Sequence, residues 1–239
     1  MARGGLCLTA FPSLSALGQD VPLVLRRSAR AKRLKIRVEA NRSVTVVLPR
    51  GISDATALSF VEKEHRWVLA QLAKIDAPVP FSDAEMVPIL GREYILRHCP
   101  DRRGVVSIED REILVCGQRA HMARRFEDWA KRHIRSHILE KAAEYAEKAG
   151  VSFGRITVKD QKSRWGSCSS AGNLNFSWRL IFMPEFVVDY IVCHEVCHLV
   201  HLNHSQDFWR LNHQLCPDTE KAKAWLKENG SKVHKYGAT

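Results

Sequence analysis

The sequence predicts an α+β protein, in which a β-rich N-terminal region leads into a mainly helical second half. Residues 34–38 alternate apolar and charged side chains with the period of two that a strand requires. From about residue 119 to 149, apolar side chains recur instead at helical spacing. No run of about 18 apolar residues occurs, so we expect no membrane-spanning helix and no membrane partner.

The first predicted sheet lies between residues 21 and 48. Its β-branched stretch at 44–48 ends at a Pro-Arg-Gly turn signal. Seven basic residues and no acidic residue occur from Arg26 to Arg37. If these strands pair, their outward side chains form a basic face that either contacts nucleic acid or is simply solvated.

A helix is predicted after this sheet, because Ser53 is a good N-cap residue and apolar side chains then recur as far as Ile75. Two prolines within 77–80 predict a linker. We expect the next three strands to extend the N-terminal sheet, at 92–99, 104–108 and 112–116.

The second half is predicted to place a strand and a hairpin between helices. Gly150 is a natural C-cap for the long helix, Pro184 suits the first turn of a later helix, and Ser205 can cap the helix after that. The predicted elements are a helix at 119–149, a strand at 155–160, hairpin strands at 163–168 and 173–178, a helix from 184 to about 202, a helix after 205, and a charged helix from 220 to 230.

We therefore expect a poorly patterned N-terminus over 1–21, a β-rich region with one amphipathic helix over 22–117, and the domain with the candidate site over 118–239. Seven scattered cysteines, an odd number, argue against a disulfide framework and for a reducing cytoplasm. Residues 6–18 lack the unbroken apolar core and the cleavage site of a secretory signal. The net charge of +11 favours an acidic partner such as nucleic acid.

The segment His194-Glu195-Val196-Cys197-His198 has the spacing of a zinc site with its own general base. Residues four apart share one face of a helix, about 6 Å apart along its axis, so both imidazoles can reach one ion. Glu195 can then reach a water at the metal without being a ligand. Because the flanking residues are largely apolar, burying these three polar side chains without a metal would be costly.

A catalytic zinc needs a third protein ligand, and His201 and His204 compete for that role. His201 would lie about 10 Å along the helix from His194, too far for both to share an ion. His204 follows Asn203, a residue that tolerates the left-handed turn that ends many helices. We therefore predict one zinc ion, Zn²⁺, whose ligands are His194, His198 and His204.

These residues and their neighbours resemble the YgjP-like family of zinc metallopeptidases, which is similar to SprT-like and WLM-type metalloproteases. The resemblance covers about residues 22–225. It implies a minimal zincin-like domain with an N-terminal β-rich extension, the same three histidine ligands, and Glu195 as the catalytic base. The motifs that carry it are Arg164-Trp165-Gly166-Ser167-Cys168-Ser169, Asn173-Leu174-Asn175, Pro184, Tyr190, His194 to Leu199, Asn203-His204-Ser205 and Phe208-Trp209.

The predicted function is that of a zinc peptidase acting on proteins or peptides, with nucleic-acid-associated proteins as one substrate class. The alternative is a metal-dependent phosphohydrolase acting on nucleotides, although the sequence has no glycine-rich phosphate loop. A non-catalytic zinc module is a third class, against which Glu195 argues. We expect Arg164 or His201 to bind the substrate or stabilise the oxyanion, unless Arg164 forms a structural ion pair beside a packed Trp165.

Overall fold

A computed structural model describes the chain over residues 21–39, 42–161 and 164–237. Apart from residue 21, the predicted N-terminal region over 1–21 lies outside these residues. The described residues divide into two compact units, one ending at Pro78 and the other formed by Val79–Gly237. The division predicted after residue 117 therefore falls within the second unit. In the part of the chain described, no helix is long and apolar enough to cross a membrane.

The first unit is a three-stranded sheet with two helices on one face. The strands are β1 (Leu23–Arg27), β2 (Lys35–Val38) and β3 (Val44–Leu48), in the order β1-β3-β2, and the helices are α1 (Asp54–Lys63) and α2 (His65–Leu72). Val46 and Leu48 of β3 pack against Ala57 and Val61 of α1, which confirms the predicted sheet.

The single helix predicted from Ser53 to Ile75 is wrong, because the structure divides it into α1 and α2. Glu64 lies between them with φ −92° and ψ 9°, outside helical geometry. The Nδ1 atom of His65 also lies 2.8 Å from the Glu62 carbonyl oxygen, so the His65 ring forms a hydrogen bond with a backbone carbonyl near the end of α1. The prediction of Ser53 as the N-cap is confirmed, since its side chain accepts from the Thr56 backbone N–H.

The second unit contains a separate four-stranded sheet. Its strands are β4 (Met86–Ile89), β5 (Arg92–Cys99), β6 (Val106–Glu109) and β7 (Glu112–Cys116), in the order β4-β5-β7-β6. The prediction that these strands extend the N-terminal sheet is wrong. They pair with one another, and Leu96, Ile113 and Val115 are buried in the core of the second unit instead.

Four helices complete the second unit, and one of them supports the candidate site. They are α3 (Met122–Ala149), α4 (Glu185–Cys197), α5 (Gln206–Leu215) and α6 (Thr219–Asn229), with short 3₁₀ helices at Arg119–His121, Trp178–Phe182 and Gly230–Lys235. Gly150 ends α3 in the left-handed conformation, as predicted. The buried face of α3 packs against α4 in the main core, so α4 lies on a rigid base.

The last sheet is small and lies beside α4. It contains β8 (Ile156–Lys159), β9 (Gly166–Cys168) and β10 (Leu174–Ser177), in the order β8-β10-β9. The antiparallel pairing of β9 with β10 confirms the predicted hairpin, of which residue 163 lies outside the described chain. The class of the whole protein is α+β, as predicted.

Candidate metal centre

Three imidazoles meet at the end of α4. The ligand atoms that His194, His198 and His204 can offer all lie within 4.8 Å of one another. The Nε2 atoms of His194 and His204 are 3.0 Å apart. Zinc–nitrogen bonds of about 2.0–2.1 Å would place two tetrahedral ligand nitrogens about 3.3 Å apart, so this pair is close to the separation that one ion requires.

The chain brings these rings together by ending α4 early. The helix was predicted to run to about residue 202, but it ends at Cys197, with His198 as its C-cap. His198 keeps near-helical angles, so the four-residue spacing from His194 still places both rings on one side. The turns that follow return the chain, and His204 reaches His194 just before Ser205 caps α5.

His201 contributes through its backbone. Its carbonyl oxygen lies 3.0 Å from Nδ1 of His198. Because a carbonyl can only accept, Nδ1 of His198 carries the proton in this bond and Nε2 keeps its lone pair for a metal. The structure thus places His201 next to the site without using its ring as a ligand.

A fourth ring, that of Phe208, lies against all three imidazoles. Its centroid is 4.9, 4.7 and 4.8 Å from those of His194, His198 and His204, and the residue is fully buried. Trp209 stacks on His204 at 5.7 Å between centroids. These two aromatic residues of α5 therefore restrain the rings that face the candidate metal position.

Burial favours the metal-binding, neutral form of two of these imidazoles. Burial first, and then the nearby His198 and His204, together lower the pKa of His194 to about 4. Burial also lowers the pKa of His198, against a smaller rise from the His201 carbonyl. A neutral imidazole has a free nitrogen lone pair, so the chemistry of these side chains fits a zinc ion.

Glu195 is a buried carboxyl group beside the imidazoles, with only 7% of its surface exposed. Burial raises its pKa to about 7, while a hydrogen bond from the Cys168 backbone N–H and the charge of Arg164 oppose that rise. Arg164 is exposed and lies close enough for its charge to act on the carboxyl group. The structure therefore brings Glu195 together with residues of the Arg164–Ser169 motif, which includes the first strand of the hairpin.

Two further residues at the site had no individual role predicted from the sequence. Phe208 was part of a predicted helix and Gly166 of a predicted hairpin strand, and both belong to the motifs that carry the family resemblance. Gly166 lies directly against the Glu195 side chain. His204 precedes the N-cap of α5, so helical spacing does not predict its contact with Phe208.

Two thiols lie on the other side of α4, as expected for packing residues. Cys193 and Cys197 are fully buried, and their sulfur atoms are 4.0 Å apart. The amide nitrogen of buried Asn212 donates to both sulfurs, and its oxygen accepts from Thr219. This network ties α4 to α5 and to the start of α6 behind the imidazoles.

An α+β fold in which three imidazoles converge beside a buried glutamate defines a metallopeptidase domain. The comparison with known protein families agrees. The YgjP-like family, described as "YgjP-like, metallopeptidase domain", matches residues 32–229. The chain belongs to the YgjP-like family. Metallopeptidases need a metal ion, and the three imidazoles are residues of the described chain that could hold it.

Two solved structures are similar to part of the chain. One is the metallopeptidase zymogen of Pyrococcus abyssi abylysin, at 21% identity over 41% of this chain and 95% of that one, with a TM-score of 0.36. The other is the zymogen of Methanocaldococcus jannaschii jannalysin, at 17% identity over 38% and 88%, with a TM-score of 0.35. No curated protein matches the sequence.

Proposed function

We propose that this protein is a zinc peptidase, in which one zinc ion is held by His194, His198 and His204 and Glu195 is the general base. Family membership supports the peptidase class. The observation that supports the finer assignment is that three imidazoles converge beside a buried carboxyl group. Three protein ligands leave one position free for chemistry, as catalytic zinc sites require.

The proposed roles follow from the positions of the side chains. When bound, zinc would supply a Lewis acid that polarises a substrate carbonyl and acidifies water. Glu195 accepts a proton from the attacking water on its carboxylate and delivers it to the nitrogen of the leaving amine. The packing around Glu195 keeps bulk water away from this transfer.

The test compares Glu195→Gln with wild type on an unfolded protein and on short peptides. We expect the variant to keep its zinc and to lose cleavage by about 10²–10⁴-fold, the usual contribution of a general base. Glu185→Gln is the matched control, because Glu185 is an exposed carboxylate in the first turn of the same helix. Cleavage by Glu195→Gln at the wild-type rate would refute the proposal.

The same preparations decide between peptide and phosphate chemistry. Nucleoside triphosphates are incubated with wild type and with Glu195→Gln under the same conditions. Turnover of nucleotides that disappears in the variant, together with no peptide cleavage by wild type, would assign a phosphohydrolase instead. We expect peptide cleavage alone.

Arg164 and His201 remain our candidates for contact with the substrate or its oxyanion. Arg164 is supported by its exposed position and its charge effect on Glu195, and His201 by its place beside His198. Packing of Trp165 on His234, with centroids 5.1 Å apart, is compatible with either role of Arg164. Normal turnover in both Arg164→Ala and His201→Ala would remove the idea.

We also propose nucleic acid as a partner, on the basis of where the charge lies. Residues 21–78 carry twelve Lys and Arg against five Asp and Glu, a net +7 of the +11 in the whole chain. The register pairs Lys35 with Val47, Arg37 with Thr45 and Arg26 with Val47, so three exposed basic side chains share the sheet face opposite the α1 contact. Such a face suits phosphates, whereas it offers no aromatic ring for bases.

Binding to duplex DNA at a series of salt concentrations tests this partner. The triple variant Arg26→Gln, Lys35→Gln, Arg37→Gln should reduce the slope of log K against log salt by up to about 2.7, since each phosphate contact contributes about 0.9. The control replaces three exposed arginines of the second unit, Arg103, Arg111 and Arg135. Equal effects of the two triple variants, or no binding by wild type near physiological salt, would contradict the proposal.

The cytoplasm is our proposed compartment. The six cysteines in the described chain are all free, which supports the reducing environment expected from the cysteine pattern.

A further inference from the structure

The backbone of β9 lies directly against the side chain of Glu195. A Cβ atom added to Gly166 would be 2.6 Å from Oε1 of Glu195, 2.7 Å from Cγ and 2.9 Å from Cδ. Real Cβ atoms essentially never approach another heavy atom this closely. Any residue other than glycine at this position would therefore have to move either the strand or the carboxyl group.

Backbone conformation does not explain this glycine. Gly51, Gly150 and Gly172 have positive φ angles that favour glycine, whereas Gly166 is not among the positive-φ residues of the described chain. An alanine could adopt its backbone angles in the strand. What requires glycine at this position is the closeness of Glu195.

The strand is held too firmly to move away easily. Gly166 pairs with fully buried Phe176 of β10, and Cys168 pairs with fully buried Leu174. The backbone N–H of Ser177 donates to the carbonyl of Trp165 at 2.8 Å. Since β9 is fixed on this side, the flexible glutamate side chain is the group that would be displaced by a methyl group.

The same strand also contacts the carboxyl group by a hydrogen bond. The backbone N–H of Cys168, two residues along β9, donates to Glu195. Gly166 and Cys168 of the same strand thus both contact the carboxyl group of Glu195. The absence of a side chain at the first position allows the hydrogen bond from the second.

We propose that β9 is the wall that positions Glu195, and that Gly166 is a positioning residue of the reaction. This gives the motif from Arg164 to Ser169 a role in addition to packing. The inference rests on the proposed role of Glu195 as general base. It predicts that a single methyl group at position 166 misplaces the base while the three imidazoles keep their metal.

Gly166→Ala should lower kcat by about 10²-fold, the effect expected when a catalytic group is displaced by about 1 Å. KM and zinc content should remain at wild-type values. Gly154→Ala is the matched control. A Cβ atom at Gly154 would also be crowded, at 2.7 Å from Oδ1 of Asn173, but far from the carboxyl group in question.

Combination with Glu195→Ala separates positioning from a general structural effect. Alanine lacks Cγ, Cδ and Oε1, the three Glu195 atoms that a Cβ atom at position 166 would meet. Glu195→Ala alone should be slow, and adding Gly166→Ala to it should change the remaining kcat by less than about threefold. A structural role of Gly166 would instead cost the same factor in both backgrounds.

Each result of these experiments either supports or overturns the positioning role of Gly166. Gly166→Ala with wild-type kcat overturns the inference, as does an equal loss of kcat in the wild-type and Glu195→Ala backgrounds or a failure to fold in both. Folding of Gly166→Ala only in the Glu195→Ala background supports the inference, because the steric conflict is then with Glu195. If Glu195→Gln itself retains activity, the proposed function fails, and this result is distinguishable because it does not involve position 166.

Discussion

Phe208 is the residue that contacts every candidate ligand. Its ring and the three imidazoles form a group of four, in which each pair of centroids is 4.7–4.9 Å apart. Because Phe208 is fully buried, its ring cannot move without disturbing the core. We expect this packing to hold the imidazoles in place before a metal arrives.

Phe208→Leu should therefore weaken zinc binding by about 10–100-fold, as changes to groups that orient ligands commonly do. Competition with a chromogenic chelator measures the dissociation constant directly. Phe186→Leu is the control, because Phe186 is a half-buried phenylalanine in the first turns of α4, away from the imidazoles. Unchanged zinc affinity in Phe208→Leu would show that the ring only fills space.

Helix α5 carries Phe208, and its N-cap, Ser205, directly follows His204. Ser205 caps this helix by accepting a hydrogen bond from the Phe208 backbone N–H. The cap thus joins the last candidate ligand to the ring that supports it. Without this capping hydrogen bond, both His204 and the Phe208 ring should be held less firmly.

Ser205→Ala should lower the free energy of unfolding by about 1 kcal/mol and also weaken zinc binding. Ser53→Ala is a matched control, since Ser53 caps α1 of the other unit by the same kind of bond to the Thr56 N–H. Thermal unfolding and chelator competition on both variants test this. A stability loss in both with zinc affinity reduced only in Ser205→Ala is expected; equal zinc affinities would contradict it.

Local sequence signals were sufficient to predict many helices and strands. They did not predict which of these elements pair or pack with one another. Gly150 and Ser205 marked helix ends correctly, because caps depend on nearby residues alone. The strand β4 was missed, since it has only four residues and includes Pro88, which normally weakens a strand prediction. Pairing of β4–β7 with each other depends on contacts distant in sequence, which periodicity does not encode.

At the candidate site, too, contacts between residues near in sequence were predictable, and contacts between distant residues were not. Helical spacing predicted the approach of His194 and His198, and the turn expected after Asn203 favoured His204 over His201 as the third ligand. The structure places the possible ligand atoms of His204 within 4.8 Å of those of the other two. The closeness of Gly166 to Glu195 could not be predicted, because it arises only when β9 packs on α4.

For the whole molecule, we expect metal binding to stabilise the folded chain. Zinc that binds only the native state adds about 2.7 kcal/mol to the free energy of unfolding at a free concentration 100 times the dissociation constant. A chelator should therefore lower the melting temperature, and zinc should restore it. His204→Ala should show a much smaller shift, and a shift of wild-type size in this variant would contradict the ligand assignment.

Anomalous diffraction from crystals of the zinc-loaded protein tests most directly where the metal lies and which residues bind it. Data on the two sides of the zinc absorption edge should give one peak, within about 2.0–2.1 Å of a ring nitrogen of each of His194, His198 and His204. Glu195 should lie beside the peak without coordinating it. A peak elsewhere, or none at these imidazoles in crystals with bound zinc, would contradict the account.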